Sequence, residues 1–185
     1  VPTRGDCEVN FASSALYEHM VKWDEEWRTW HDYGGMRREF SCAVNPLRKW
    51  SRRWEYPYVF SALRHAYSGG GRPVPEFRVL DAGCGVTFFP FYIIDSLPGA
   101  SVDGVDSEPQ ESFFERMGAG SLLKAGSGFT FRQADMRSLP YQDGEFDAII
   151  CVSVLEHLEY GDTFKAVREM ARVLRPGGHL IMTFD

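Results

Sequence analysis

The stretch Val79-Leu80-Asp81-Ala82-Gly83-Cys84-Gly85-Val86-Thr87 constrains the fold of this chain more than any other. An apolar run ends in an acid, and two glycines one residue apart follow before a helical pattern begins. Glycine lets the backbone turn sharply and lets a ligand approach closer than a Cβ permits. The helix that follows offers free N–H groups and a positive dipole end to an anionic group. A strand–turn–helix junction of this type belongs to βαβ units and a parallel sheet.

The rest of the C-terminal part keeps that rhythm. Short apolar segments predict strands over residues 77–81, 101–106, 129–133, 146–152 and 178–184. Between them, helices are predicted over residues 88–96, 109–117 and 162–174. In the last of these Asp162 is placed to cap, and Phe164, Val167, Met170 and Leu174 share a face. Pro176-Gly177-Gly178 predicts a turn into the fifth strand.

Composition changes near residues 69–75. All five tryptophans, Trp23, Trp27, Trp30, Trp50 and Trp54, come earlier. Tyr17, Met20, Trp23, Trp27 and Trp30 recur at three- and four-residue steps, one stripe of a helix, with Asp24, Glu25, Glu26 and Arg28 mostly on the other side. A second helix is predicted over 58–67, stopped by Gly69-Gly70-Gly71. The chain thus divides into an N-terminal helical segment (1–75), expected to form a lid, and an α/β unit with a doubly wound, mostly parallel sheet (76–185), the two making one compact body.

Three acids fall at the ends of successive strands: Asp81, Asp106 and Asp135. In a nucleotide-binding fold an acid after the second strand, about 20 residues past the glycine loop, accepts the ribose hydroxyls. Asp106 or Ser107 would equally serve as a helix cap. A dehydrogenase loop would carry an apolar residue where Asp81 stands and a glycine where Phe88 stands, so a nicotinamide cofactor is disfavoured.

Together these stretches resemble the successive motifs of class I S-adenosylmethionine-dependent methyltransferases: Val79 to Thr87, Val102-Asp103-Gly104-Val105-Asp106, Phe146-Asp147-Ala148-Ile149-Ile150-Cys151, and Val173-Leu174-Arg175-Pro176-Gly177-Gly178. The resemblance covers residues 77–185. Ser153-Val154-Leu155-Glu156-His157-Leu158 is similar to the small-molecule group that includes quinone methyltransferases. The resemblance implies a Rossmann-like sheet, S-adenosylmethionine as cofactor and a small-molecule acceptor. It assigns Asp81, Gly83 and Gly85 to the methionine part, Asp106 with Ser107 to the ribose, Asp135 and the Met136 N–H to the adenine, and Cys151 and Ser153 to the sulfonium through main-chain atoms. The family's third loop glycine is Thr87 here, which narrows the pocket near the cofactor carboxylate. The competing reading is a non-catalytic cofactor-binding or scaffold protein that keeps the fold.

Methyl transfer is an in-line displacement, so the protein mainly aligns the reactants and excludes water. His157 is the candidate base where the acceptor must lose a proton, against a packing role at a helix start. Some quinone methyltransferases of similar sequence place two glutamates and a histidine here. This chain keeps Glu156 and His157 but has Ser153 in place of the first glutamate, so no metal is expected.

Residues 37–53 carry Arg37, Arg38, Arg48, Lys49, Arg52 and Arg53 against Glu39, interleaved with Phe40 and Trp50. This predicts a solvated basic face whose arginines point to water, with an anionic small acceptor as the second reading. An arginine from this stretch could also bind the cofactor carboxylate. The net charge of -6 disfavours nucleic acid as a partner. Cys7, Cys42, Cys84 and Cys151 are scattered without a C-x-x-C pair, as in a reducing, cytoplasmic compartment. No apolar run reaches the roughly 20 residues of a membrane-spanning helix, and the first residues have no apolar core of a secretory leader. A leading Val and an end at the fifth strand predict a partial sequence. They also predict an open sheet edge at residues 178–185 able to pair with a second copy as a homodimer.

Overall fold

The computed structural model describes residues 15–30, 47, 51–69, 76–110 and 128–184. The elements run α1 (Ala15–Trp30), α2 (Arg52–Ser68), β1 (Phe77–Ala82), α3 (Phe89–Ser96), β2 (Ala100–Asp106), β3 (Phe129–Gln133), β4 (Phe146–Val152), α4 (Tyr160–Val173) and β5 (Leu174–Thr183). The five strands form one parallel sheet in the order β3-β2-β1-β4-β5. The chain builds outward from β1 to β2 and β3, then returns to β4 on the other side. That reversal opens a crevice at the carboxyl ends of β1 and β4, the place where ligands bind in sheets of this class.

Period-two alternation sorts the strand residues onto two faces. Val79, Val102, Ala148, Ile150 and Ile181 pack with Met20 of α1, with Val59, Phe60 and Leu63 of α2, and with Phe89 and Ile93 of α3. Leu80, Ala82, Val105, Ile149 and Cys151 face the other way, onto Ala166, Met170 and Val173 of α4. Both N-terminal helices therefore share one core with the sheet. Among the described residues no helix is long and apolar enough to cross a membrane.

Aromatic side chains lock α1, α2 and α3 together. The Tyr56 ring lies parallel to Phe89 at 4.2 Å, Trp23 meets Tyr92 edge-on at 5.4 Å, and Trp23 Nε1 donates to Asp95 Oδ2 at 2.8 Å. Pairs in these geometries add about 0.5–1.5 kcal/mol each beyond their buried area. At the far end of α2, Tyr67 donates to the Pro98 carbonyl at 2.7 Å and the helix closes on Gly69 in a left-handed cap. α2 thus runs antiparallel to the strands, and its first turn arrives at their carboxyl ends.

Several expectations change. α2 begins at Arg52, well ahead of residue 58. Asp24 is buried, not on the outer side of α1. α4 begins at Tyr160, and its first-turn Asp162 caps nothing: its carboxylate pairs with Arg137 and Lys165. Phe164 is 62% exposed while Met170 is fully buried, because α4 faces the sheet along Ala166, Met170 and Val173. β5 starts at Leu174, and Pro176-Gly177-Gly178 makes a register irregularity within it instead of a turn before it. The predicted helix over 109–117, and the side chains of Trp27, Arg28 and Trp30, lie outside the described residues, as do Arg37, Arg38, Arg48 and Lys49.

Candidate active site

The β1–α3 loop is the centre of the site. Gly83 has a φ of 77°, and a Cβ there would lie 2.6 Å from a Val154 methyl. Gly85 has a φ of 51°, yet a Cβ there would meet nothing within 4 Å. The first glycine lets the loop pass Val154; the second faces open space. The Gly83 and Cys84 N–H groups donate to the Val105 carbonyl at 2.8 and 3.0 Å, which pins the loop to the end of β2.

Asp106 shapes the same loop. Its Oδ2 accepts the Gly85 N–H at 2.9 Å, and its Oδ1 accepts the Glu108 N–H at 3.0 Å. Each carboxylate oxygen keeps a second lone pair, so a pair of hydroxyls can still be bound. Ser107 is exposed, and its carbonyl accepts from Gln133 Nε2 at 2.9 Å.

Asp81 is the penultimate residue of β1 and is buried. Burial, reinforced by the nearby Asp106 charge and opposed by Arg52, pushes its carboxyl up to about 7. The same acid and burial raise the two neighbouring thiols: Cys84 goes well above its usual range and Cys151 up to about 12, burial being the larger cause in both. Neither thiol is a nucleophile under ordinary conditions.

Ser153, just past β4, has a φ of 50°, uncommon for a residue with a side chain. Its N–H donates to the Thr183 carbonyl at 3.1 Å. Its hydroxyl donates to Glu55 Oε1 at 2.6 Å and accepts from Arg52 Nη1 at 2.6 Å, while that same Nη1 pairs with Glu55 Oε2. The first turn of α2 is therefore built into the site. Next to it, burial raises the Tyr56 hydroxyl well above its usual range, and that hydroxyl hydrogen-bonds to Thr87. The expectation that the arginines of residues 37–53 point to water is wrong for Arg52, although Arg53 is exposed.

Asp135 and Met136 follow β3, whose end is tied to β2 by the Ala134 N–H and Asp106 carbonyl at 2.9 Å. Arg137 holds the Asp135 carboxylate through Nε at 2.9 Å and Nη2 at 2.6 Å and also pairs with Asp162, so Asp135 titrates below its usual range. Met136 packs its side chain on the α4 face of the core. Glu156 and His157 sit on a single 3₁₀ turn (Leu155–His157) with both side chains exposed. Among the described residues no three His, Cys, Asp or Glu converge in a metal-binding arrangement.

Asp81, Gly83, Gly85, Asp106, Cys151 and Ser153 thus gather around the crevice, with Asp135 on the β2–β3 side and His157 on the β4 side. Glu55 and Tyr56 escaped the sequence reading. Their only signal was an acid and a tyrosine three and four residues after Arg52 on a helix otherwise rich in aromatics. Asp147, within a motif of the resemblance, serves the opposite end of the sheet: it accepts the Arg78 N–H at 2.7 Å and pairs with Arg175 at 3.0 Å.

The methyltransferase domain family matches residues 80–182. The chain belongs to that family. It is a class I S-adenosylmethionine-dependent methyltransferase domain, and S-adenosylmethionine is the cofactor of the group. The domain is 32% identical over 150 residues to a demethylmenaquinone methyltransferase of Deinococcus radiodurans, covering 81% of this chain and 54% of that protein. It is 31% identical over 172 residues to a ubiquinone biosynthesis O-methyltransferase of Alkalilimnicola ehrlichii, covering 91% and 60%. Among solved structures it resembles the PH0226 protein of Pyrococcus horikoshii, with a TM-score of 0.51, 29% identity, and coverage of 68% of this chain and 54% of that one. The methyltransferase domain spans little more than half the length of these relatives.

Proposed function

We propose that this protein binds S-adenosylmethionine at the crevice between β1 and β4 and transfers its methyl group to a small-molecule acceptor. The observation that carries the reading is the open space at Gly85, whose N–H is held by Asp106, on the loop that follows the buried Asp81. A cradle that a Cβ would fill, beside two acids, suits a ligand with an ammonium group and a ribose.

In this reading Asp81 takes the cofactor ammonium, Gly83 and Gly85 give the methionine chain room, and Asp106 binds the ribose hydroxyls. Ser107 flanks the ribose. Asp135 and the Met136 N–H receive the adenine, with Arg137 keeping the Asp135 carboxylate oriented. Cys151 and Ser153 border the sulfonium through main-chain atoms. Arg52, between Asp81 and Ser153, is the arginine suited to the cofactor carboxylate. When bound, S-adenosylmethionine supplies a methyl on positive sulfur, already activated for displacement. The protein aligns the acceptor and keeps water out. His157 is the base for an acceptor that must lose a proton.

The acceptor is read as small and apolar or planar because the Deinococcus radiodurans and Alkalilimnicola ehrlichii relatives carry quinone-related names. Free Cys84 and Cys151 suit a reducing, cytoplasmic location. Isothermal titration with S-adenosylmethionine, S-adenosylhomocysteine and NAD tests the cofactor: heat with both sulfur compounds and none with NAD is expected. Heat with NAD alone rejects the proposal. Mass spectrometry of metabolites turned over by cofactor-loaded protein then identifies the acceptor.

A further inference from the structure

Glu55 is fully buried, and no step of the cofactor reading requires it. A buried carboxylate is costly unless its partners are well placed, and a pair of this kind adds little to stability over apolar side chains of the same volume. The partners of Glu55 are informative. Apart from Arg52, one turn away, its described contact reaches Ser153 across 98 positions of sequence, at the end of β4. Ser153 holds a left-handed backbone that a serine seldom adopts unaided. Three ties keep it there: its N–H on the Thr183 carbonyl, its hydroxyl donating to Glu55 and the same hydroxyl accepting from Arg52. The same carboxylate holds Arg52, whose positive charge is felt at Asp81.

We propose that Glu55 is a positioning residue of the active site, acting through Ser153 and Arg52. It keeps Ser153 in the conformation that borders the methyl-bearing end, and it keeps the Arg52 guanidinium from collapsing onto Asp81. One carboxylate on α2 thereby sets the geometry of groups from β1 and β4. Glu55→Gln keeps the shape but loses the charge that strengthens the bond from the Ser153 hydroxyl, and it turns an amide donor toward Arg52. Arg52 then loses its carboxylate partner and shifts toward Asp81, which removes the acid that the cofactor ammonium needs. The inference rests on the cofactor reading above.

The test is titration of S-adenosylhomocysteine into wild-type protein, Glu55→Gln, Ser153→Ala and the double variant, well below each melting temperature. Both single variants are expected to bind at least tenfold more weakly, and the double variant no more than about twofold more weakly than the worse single one. Either folded single variant binding within twofold of wild type overturns the proposal, as do losses that multiply in the double variant. A merely structural Glu55 would lower the melting temperature and leave the affinity unchanged, which is the same negative result. Should Glu55→Gln not fold, Ser153→Ala alone decides by the same criterion. Absence of binding by the wild-type chain overturns the cofactor reading itself, and the inference with it.

Discussion

Asp106 Oδ2 accepts the Gly85 N–H at 2.9 Å, so the acid proposed to bind the ribose also fixes the glycine loop proposed to receive the cofactor. Asp106→Ala removes both functions at once. The expected loss of cofactor affinity is about 1–3 kcal/mol, the usual cost of leaving buried hydrogen-bonding groups unpaired. Calorimetric titration of S-adenosylhomocysteine measures it. An affinity equal to wild type would reduce Asp106 to a loop and helix-start residue.

Cofactor binding should depend on pH through Asp81, whose carboxyl is pushed up to about 7 by burial first and by Asp106 second, with Arg52 opposing. Tyr56, Cys84 and Cys151 also lie within reach of its charge and stay protonated across this range. An ammonium prefers the ionised acid, so binding should tighten as pH rises from 6 to 8 and release a proton near and below pH 7. Titrations in buffers of different ionisation enthalpy reveal that proton.

Stability responds to the same group with the opposite sign. The folded state holds a proton on Asp81 at pH values where the unfolded chain, near 3.8, has lost it. The Asp81 contribution therefore falls as pH rises from about 4 to 7 and is level above that. Asp81→Asn should flatten this part of the profile in urea unfolding followed across pH. A profile identical to wild type would show that Asp81 ionises freely in the fold.

The two loop glycines should fail differently. Gly83→Ala places a Cβ against Val154 and strains a φ of 77°, so it should destabilise the fold by more than about 2 kcal/mol. Gly85→Ala meets open space and pays only for its φ of 51°, about 1–2 kcal/mol. Its effect should fall on the cofactor instead, with binding weakened well beyond the change in stability. Urea unfolding and titration on both variants separate these outcomes, and equal losses in both would remove the distinction.

On α4, Met170→Ala should cost about 2–5 kcal/mol, because it empties a fully buried position. Phe164→Ala should stay within about 0.5 kcal/mol, since Phe164 is 62% exposed. A large loss at Phe164 in thermal unfolding would show that a further surface covers it in solution.

The order of the strands, the doubly wound sheet and the glycine loop were legible because each depends on local periodicity and on glycine at a turn. β3 and β4 fall within the residues read for them, and the acids Asp81 and Asp106 stand at the strand ends as their positions imply. All of this follows from chain-local rules: alternation along strands, helical repeat, and backbone freedom at Gly83 and Gly85.

Tertiary contacts decided the rest. Phe164 and Met170 are interchangeable to a helical repeat, yet α4 turns only one of them to the sheet, because the strand residues Ile149 and Cys151 set the facing surface. Asp162 reads as a cap, but Arg137 and Lys165 draw its carboxylate away. Arg52 reads as a surface charge and Glu55 as one acid among aromatics. Folding α2 antiparallel to the sheet brings them to Ser153, about a hundred residues later in the chain. No local pattern encodes that meeting. It arises because the burial of Val59, Phe60 and Leu63 against the strands fixes where the first turn of the helix must end.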